Sequence, residues 1–213
     1  MECRPFADMS LSVLMLGTVQ FGLSYGIANR TGQPSYETVR SIIALGHEHG
    51  VNGLDTAAVY GSSEEVIGKA LAELGIADRM VVATKITQMA DEGVSRQDAD
   101  AIVESSVARS LRNLRVERIP ICLFHRERDF LLYAESLLRL RDKGMVGHVG
   151  SSVNTPATAL EIVRSGLAEA VQKPSSVLDG RFIRLGIPGQ VAARGVALFA
   201  RSIYLQGLLL MRE

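Results

Sequence analysis

Short apolar runs alternate with amphipathic stretches along this 213-residue chain, and this alternation is what most limits its fold. Seven runs have the length and composition of buried strands. They are residues 11–16, 53–55, 80–84, 119–124, 145–149, 169–172 and 195–200. A helical or loop connection follows each of the first six. Because helix-length crossovers return the chain in the same direction, the pattern predicts an α/β fold with a parallel sheet.

The connections between the runs show helical periodicity. Apolar residues spaced three and four positions apart predict helices within residues 39–46, 67–74, 103–114, 134–138 and 159–166. Ser35 or Thr38 is suited to cap the first of these helices. A loop or short helices are expected at residues 180–194. No linker or low-complexity tract interrupts the series, so we expect one domain over residues 1–213.

Composition excludes several classes of function. The chain carries 23 Lys and Arg against 23 Asp and Glu, and this zero net charge argues against nucleic-acid or anionic-membrane partners. Charges interrupt every apolar stretch before it could span a bilayer, and residues 1–10 lack the apolar run of a secretory signal. Cys3 and Cys122 form no CxxC pair, so neither a disulfide framework nor a zinc site is indicated. We therefore expect a cytoplasmic protein.

Two architectures suit repeated strand–helix units: an open doubly wound sheet and an eight-stranded barrel. No GxGxxG follows the first run and no GxxxxGK[ST] occurs. Instead, four reactive side chains come at the carboxyl ends of four different runs, namely Asp55, Lys85, His125 and Ser152. Such ends converge on one face of a parallel barrel, whereas in an open sheet they spread along an edge.

The segment at residues 55–64, DTAAVYGSSE, together with Lys85 and His125 at the ends of later runs, resembles the aldo-keto reductase superfamily. Further similar segments are residues 16–22 (LGTVQFG), 149–152 (VGSS), 171–172 (VQ) and 201–207 (RSIYLQG). The resemblance implies a TIM-type (β/α) barrel and an NADPH-dependent oxidoreductase that reduces a small aldehyde or ketone to an alcohol. NADH is the alternative cofactor.

By this resemblance Asp55, Tyr60, Lys85 and His125 are the catalytic residues, and each role has a chemical reason. A carbonyl that receives hydride needs a proton, which Tyr60 would donate. Lys85 would favour the phenolate and lower the pKa of Tyr60, and Asp55 would pair with the buried ammonium. Neutral His125 would orient the carbonyl oxygen. Taken singly, each residue is more typical of an ordinary structural role: a turn or helix cap for Asp55, apolar packing for Tyr60, a snorkelling lysine for Lys85 and a hydrogen-bonded interior histidine for His125.

The resemblance also assigns cofactor-binding positions. Ser152 and Gln172 match residues that hold the nicotinamide carboxamide, and Arg201 stands where many members stack an aromatic ring on the nicotinamide. Val153 follows the serine where many members have Asn, and Asn154 comes one residue later. Ordinary strand-end hydrogen bonding is the alternative for these residues. No metal site is expected, because the sequence has no HExxH and His47 and His49 are only two positions apart.

The barrel is expected to be incomplete, with about seven strand–helix units and the eighth missing, since a full barrel of this type takes about 250 residues. The first and last strands would then have open edges, which favour self-association. An alternative function is therefore a truncated or inactive reductase scaffold that acts as an interaction protein. A barrel lyase or isomerase with Lys85 as a Schiff-base lysine is a third possibility. Residues 22–34 form a loop suited either to contact substrate or to serve as an exposed connection.

Overall fold

The computed structural model describes residues 1–90 and 93–211, and its main feature is a seven-stranded parallel sheet. A two-stranded antiparallel hairpin precedes this sheet. The hairpin strands are β1 (Cys3–Phe6) and β2 (Met9–Ser12). The sheet strands are β3 (Met15–Gly17), β4 (Gly53–Asp55), β5 (Val81–Lys85), β6 (Ile119–Phe124), β7 (Val146–Ser152), β8 (Ala170–Pro174) and β9 (Ala197–Arg201).

Helices connect the sheet strands at the predicted places. They are α1 (Val19–Gly22), α2 (Tyr36–Glu48), α3 (Ser63–Leu74), α4 (Arg96–Leu114), α5 (Glu127–Asp142), α6 (Pro156–Arg164), α7 (Arg181–Arg184) and α8 (Ile187–Ala192). Two 3-10 turns lie at Ala77–Arg79 and Leu205–Leu210. Ser35 caps α2, where its Oγ accepts from Thr38 N at 3.2 Å. Within the described ranges, no helix combines the length and hydropathy needed to cross a bilayer.

The seven strands pair in chain order, and each neighbour runs parallel to the last. The sheet forms a nearly closed barrel with one unit fewer than eight, and among the described residues β3 and β9 each pair on one side only. The predicted incomplete (β/α) barrel is confirmed. Since parallel strands joined by helices share one direction, all seven carboxyl ends lie on the same rim.

Side chains alternate between two packing layers along each strand. Outward residues such as Leu54, Cys122 and Val171 join the large core between sheet and helices. Inward residues form a small separate cluster made of Ala83, Ile121, Leu123 and Ala170. The interior is narrow enough for these inward side chains to fill it.

The predicted first strand at residues 11–16 is wrong in its extent. The structure divides that run into two strands, because Leu11 and Ser12 end the antiparallel hairpin while Met15 and Leu16 begin the barrel. Asn52 fixes the break, since its Oδ1 accepts from Ser12 N at 2.7 Å. The hairpin covers the amino-terminal end of the barrel, where Phe6 packs against Phe199 with ring centroids 6.0 Å apart.

Candidate active site

The residues predicted to carry the chemistry lie on the carboxyl-terminal rim of the barrel. Asp55 is the last residue of β4, Lys85 is the last residue of β5, and His125 directly follows β6. Tyr60 lies in the loop between β4 and α3. The fold therefore brings together four side chains that are up to 70 positions apart in the sequence.

A buried ion pair forms the base of this group. Lys85 Nζ donates to Asp55 Oδ1 at 2.6 Å and to the carbonyl oxygen of Thr56 at 2.8 Å. The Lys85 side chain is 1% exposed and that of Asp55 is 18% exposed. Since a buried ammonium without a counter-charge is strongly unfavourable, Asp55 supplies the counter-charge that Lys85 needs inside the barrel.

Tyr60 and His125 complete the cluster above the ion pair. Lys85 Nζ lies 5.4 Å from the centroid of the Tyr60 ring. The rings of Tyr60 and His125 meet edge to face, with centroids 5.9 Å apart and planes at 88°. A phenol, an ammonium, a carboxylate and an imidazole therefore share one site, and their catalytic roles remain predictions.

Burial dominates the electrostatics of both rings. Burial raises the pKa of Tyr60, and the opposing effect of Lys85, which lowers that pKa, is smaller. The predicted effect of Lys85 on the pKa of Tyr60 is thus confirmed in its direction, but burial outweighs it and the net pKa is raised. Burial also lowers the pKa of His125 to about 4, with Lys85 and Arg201 adding to the effect. The imidazole is consequently neutral at pH 7, as the sequence analysis predicts.

Two glycines fix the turn that carries Tyr60. Gly61 has a φ of 56°, and a Cβ there would stand 2.2 Å from the carbonyl oxygen of Gly22. A Cβ on Gly22 would in turn stand 1.8 Å from the carbonyl oxygen of Tyr60. The backbone of the Tyr60 turn is thus pressed against α1, and only glycine fits on either side.

Sequence reasoning missed a buried polar network behind the ion pair. Thr84 Oγ1 donates to Glu64 Oε1 at 2.6 Å, and Ser63 Oγ donates to the carbonyl oxygen of Thr18 at 2.9 Å. These bonds attach the first turn of α3 to β5 and to Thr18, the residue directly after β3. The available signal was a Ser-Glu pair at the start of a helix directly after Tyr60, which we interpreted only as a helix start.

The three residues predicted to hold the cofactor also lie on this rim. Ser152 ends β7 and pairs in register with Gln172 of β8, and Arg201 ends β9. Arg201 Nε donates to Ser152 Oγ at 3.2 Å, and its Nη2 donates to Asn154 Oδ1 at 2.8 Å. Asn154, one residue later than many family members would have it, therefore joins the same group.

Two polar atoms in the site are buried without a hydrogen-bond partner among the described residues, namely His125 Nδ1 and Gln172 Oε1. A buried polar atom left unpaired costs about 1–3 kcal/mol, so such atoms point to a ligand that pairs with them. Gln172 Oε1 is a pure acceptor, and a carboxamide NH2 is a matching donor. The residues present therefore fit a nicotinamide.

Comparison with known proteins agrees with this geometry. The sequence model of the Aldo/keto reductase family matches residues 13–212. The chain belongs to the aldo/keto reductase family. The chain is 29% identical over 160 residues to D-arabinose 1-dehydrogenase of Saccharomyces cerevisiae, and the match covers 71% of this chain and 45% of that protein. It is 27% identical over 159 residues to the aldo-keto reductase YhdN of Bacillus subtilis, covering 71% of this chain and 47% of that protein.

Solved aldo/keto reductase structures share the fold. An aldo-keto reductase from Pseudomonas aeruginosa superposes with a TM-score of 0.80 at 26% identity, covering 94% of this chain and 77% of the other. The glycerol dehydrogenase of Gluconobacter oxydans gives a TM-score of 0.71 at 28% identity, covering 96% of this chain and 64% of the other. The chain spans about half the length of the curated relatives that it matches.

Proposed function

We propose that this chain is an NAD(P)H-dependent reductase that converts a small aldehyde or ketone to an alcohol, with Tyr60 as the proton donor. One observation carries the proposal. The buried Lys85–Asp55 pair lies against the Tyr60 ring, which in turn contacts His125. Carbonyl reduction needs an acid, a charge that stabilises its conjugate base and a neutral hydrogen-bond donor, and these groups supply all three.

When bound, the reduced nicotinamide supplies a hydride to the carbonyl carbon. Tyr60 gives its phenolic proton to the carbonyl oxygen, so the C=O π bond breaks as a C–H bond and an O–H bond form. Lys85 stabilises the phenolate that remains, and Asp55 keeps the ammonium paired throughout. The neutral imidazole of His125 orients the oxygen. Water then returns a proton to Tyr60.

Replacing Tyr60 by Phe removes the acid and keeps the ring. We expect aldehyde-dependent oxidation of NADPH to fall at least about 100-fold, since a positioned general acid contributes about 10²–10⁴ in rate. Tyr36→Phe is the matched control, because Tyr36 lies on α2 and its hydroxyl bonds to Glu73 at 2.6 Å. Unchanged turnover in Tyr60→Phe, with the fold verified by circular dichroism, would refute the assignment.

The finer parts of the proposal concern substrate, cofactor and compartment. We propose NADPH in preference to NADH on the family resemblance, and parallel assays with both cofactors test it. Residues 22–34 are the proposed substrate loop. The carbonyl oxygen of Gln206 accepts from Ala28 N at 3.4 Å and so ties this loop to the segment after β9. We also propose a reducing, cytoplasmic location, which the free thiols of Cys3 and Cys122 support. The zero net charge supports a function without a nucleic-acid or membrane partner.

A second candidate is a reductase-like scaffold that binds other chains. Two observations favour it. Among the described residues β3 and β9 each pair on one side only. Leu14, directly before β3, is 39% exposed, and Leu210, in the 3-10 segment after β9, is 69% exposed. One relative, 31% identical, carries the name of a probable voltage-gated potassium channel subunit beta. Calorimetry with NADPH and light scattering discriminate: absence of NADPH binding together with stable self-association favours the scaffold.

A further inference from the structure

The guanidinium of Arg201 is held entirely by neutral groups. It donates to Ser152 Oγ at 3.2 Å, Val153 O at 3.4 Å, Asn154 Oδ1 at 2.8 Å and Ser202 Oγ at 3.4 Å. Within residues 1–90 and 93–211 no carboxylate forms an ion pair with it. Two other cations near the site, Lys85 and Arg126, are paired with Asp55 and Asp129 respectively. Arg201 therefore contributes an uncompensated positive charge to the rim.

This charge reaches the place where the reaction is proposed to occur. Arg201 lowers the pKa of both His125 and Tyr60 through its charge, although burial is the larger influence on each. On its other side it bonds to Ser152, which pairs in register with Gln172. A ring bound to the unpaired acceptor of Gln172 and facing Tyr60 and His125 would thus lie within the field of the guanidinium.

The nicotinamide ring differs in charge between its two redox states, because the dihydro form is neutral and the oxidised form is a cation. A fixed positive charge nearby repels the cation and leaves the neutral ring unaffected. We infer that Arg201 is a specificity-determining residue that makes the site bind the reduced cofactor in preference to the oxidised one. This inference rests on the proposed function. It would favour release of the oxidised cofactor after each turnover.

Calorimetric titration of the full chain with NADPH and with NADP⁺ tests the inference without measuring activity. In the parent protein we expect the affinity for NADPH to exceed that for NADP⁺. Arg201→Gln should lower this ratio about tenfold, which corresponds to about 1.4 kcal/mol. Arg201→Lys keeps the charge and should keep the ratio within about threefold. Arg194→Gln, which removes an exposed charge that bonds only to Gln190 among the described residues, should leave it unchanged.

A second variant guards against a folding defect in Arg201→Gln. Asn154 bonds both to Arg201 and, through Nδ2, to Glu127 Oε2 at 3.0 Å. The double change Asn154→Asp with Glu127→Gln therefore moves a carboxylate next to Arg201 at constant net charge, and the ratio should fall as in Arg201→Gln. If both folded variants bind the two dinucleotides with the parent's ratio, the inference is overturned while the proposed function stands. If the parent binds neither dinucleotide, both are overturned.

Discussion

Replacing Asp55 by Asn tests the account of the buried ion pair, because it removes the counter-charge of Lys85 while keeping the shape of the side chain. Lys85 is 1% exposed, so its ammonium cannot turn to water without unfolding part of the barrel. Breaking a buried pair by removing one partner typically costs about 3–5 kcal/mol. Asp55 is 18% exposed and the carbonyl of Thr56 still accepts from Nζ, so the lower end applies. We expect a loss of about 3 kcal/mol in the free energy of unfolding.

Lys85→Met is the informative partner variant. It removes the charge with the amine, and the Asp55 carboxylate left behind is partly hydrated. It should therefore cost less than Asp55→Asn, and the double variant should be about as stable as Lys85→Met alone. Singles that sum in the double variant would show that the two groups do not interact.

Urea unfolding followed by circular dichroism measures these differences. With a slope of about 2–3 kcal/mol/M, a loss of about 3 kcal/mol lowers the urea midpoint by about 1–1.5 M. A shift of less than about 0.3 M for Asp55→Asn would refute the reasoning, because the ammonium would then have found an equivalent partner.

Two further predictions concern packing and pH. Gly68→Ala should destabilise the protein by about 2 kcal/mol in the same urea assay, because the new Cβ would stand 2.2 Å from the backbone oxygen of Asn113. Gly189→Ala on α8 is the control: its Cβ meets nothing within 4 Å, so the change should be neutral or slightly stabilising. Equal effects would contradict the packing argument. The unfolded chain takes up a proton on His125 near pH 6.5, but the folded chain only near pH 4, so the stability present above pH 6.5 should decline between these values. In His125→Gln the decline in the free energy of unfolding should be smaller by about 1–2 kcal/mol, a figure reduced because the ring is partly exposed to solvent. An unchanged pH profile of stability in this variant would contradict the prediction.

The order of the barrel strands could be predicted from the sequence, but the amino-terminal hairpin could not. The turn between β1 and β2 contains Ala7 at a φ of 52°, a conformation usually taken by Gly or Asn. Because Ala stands at this turn position in place of Gly or Asn, the sequence carries no hairpin signal. The apolar residues within 11–16 therefore predicted a single strand. The division depends on Asn52, 40 residues later, which no local pattern reports.

The candidate site, too, could be predicted from the sequence only in part. Strand ends are local features, so the placement of Asp55, Lys85 and His125 on one rim follows from periodicity and the parallel connection rule. The net direction of the Tyr60 pKa does not, because it depends on how deeply the folded chain buries the phenol. The contacts of Arg201 with Ser152 and Asn154 likewise depend on a side-chain conformation that only the packed rim selects.

The hairpin also places barrel stability and chemistry at opposite ends of the barrel. Phe6 closes the amino-terminal end of the barrel, so the substrate and cofactor of the proposed reductase would enter from the opposite end, where Asp55, Lys85 and His125 lie. Substitutions in the hairpin can then change the stability of the barrel without altering the reactive groups, so stability and specificity can evolve independently.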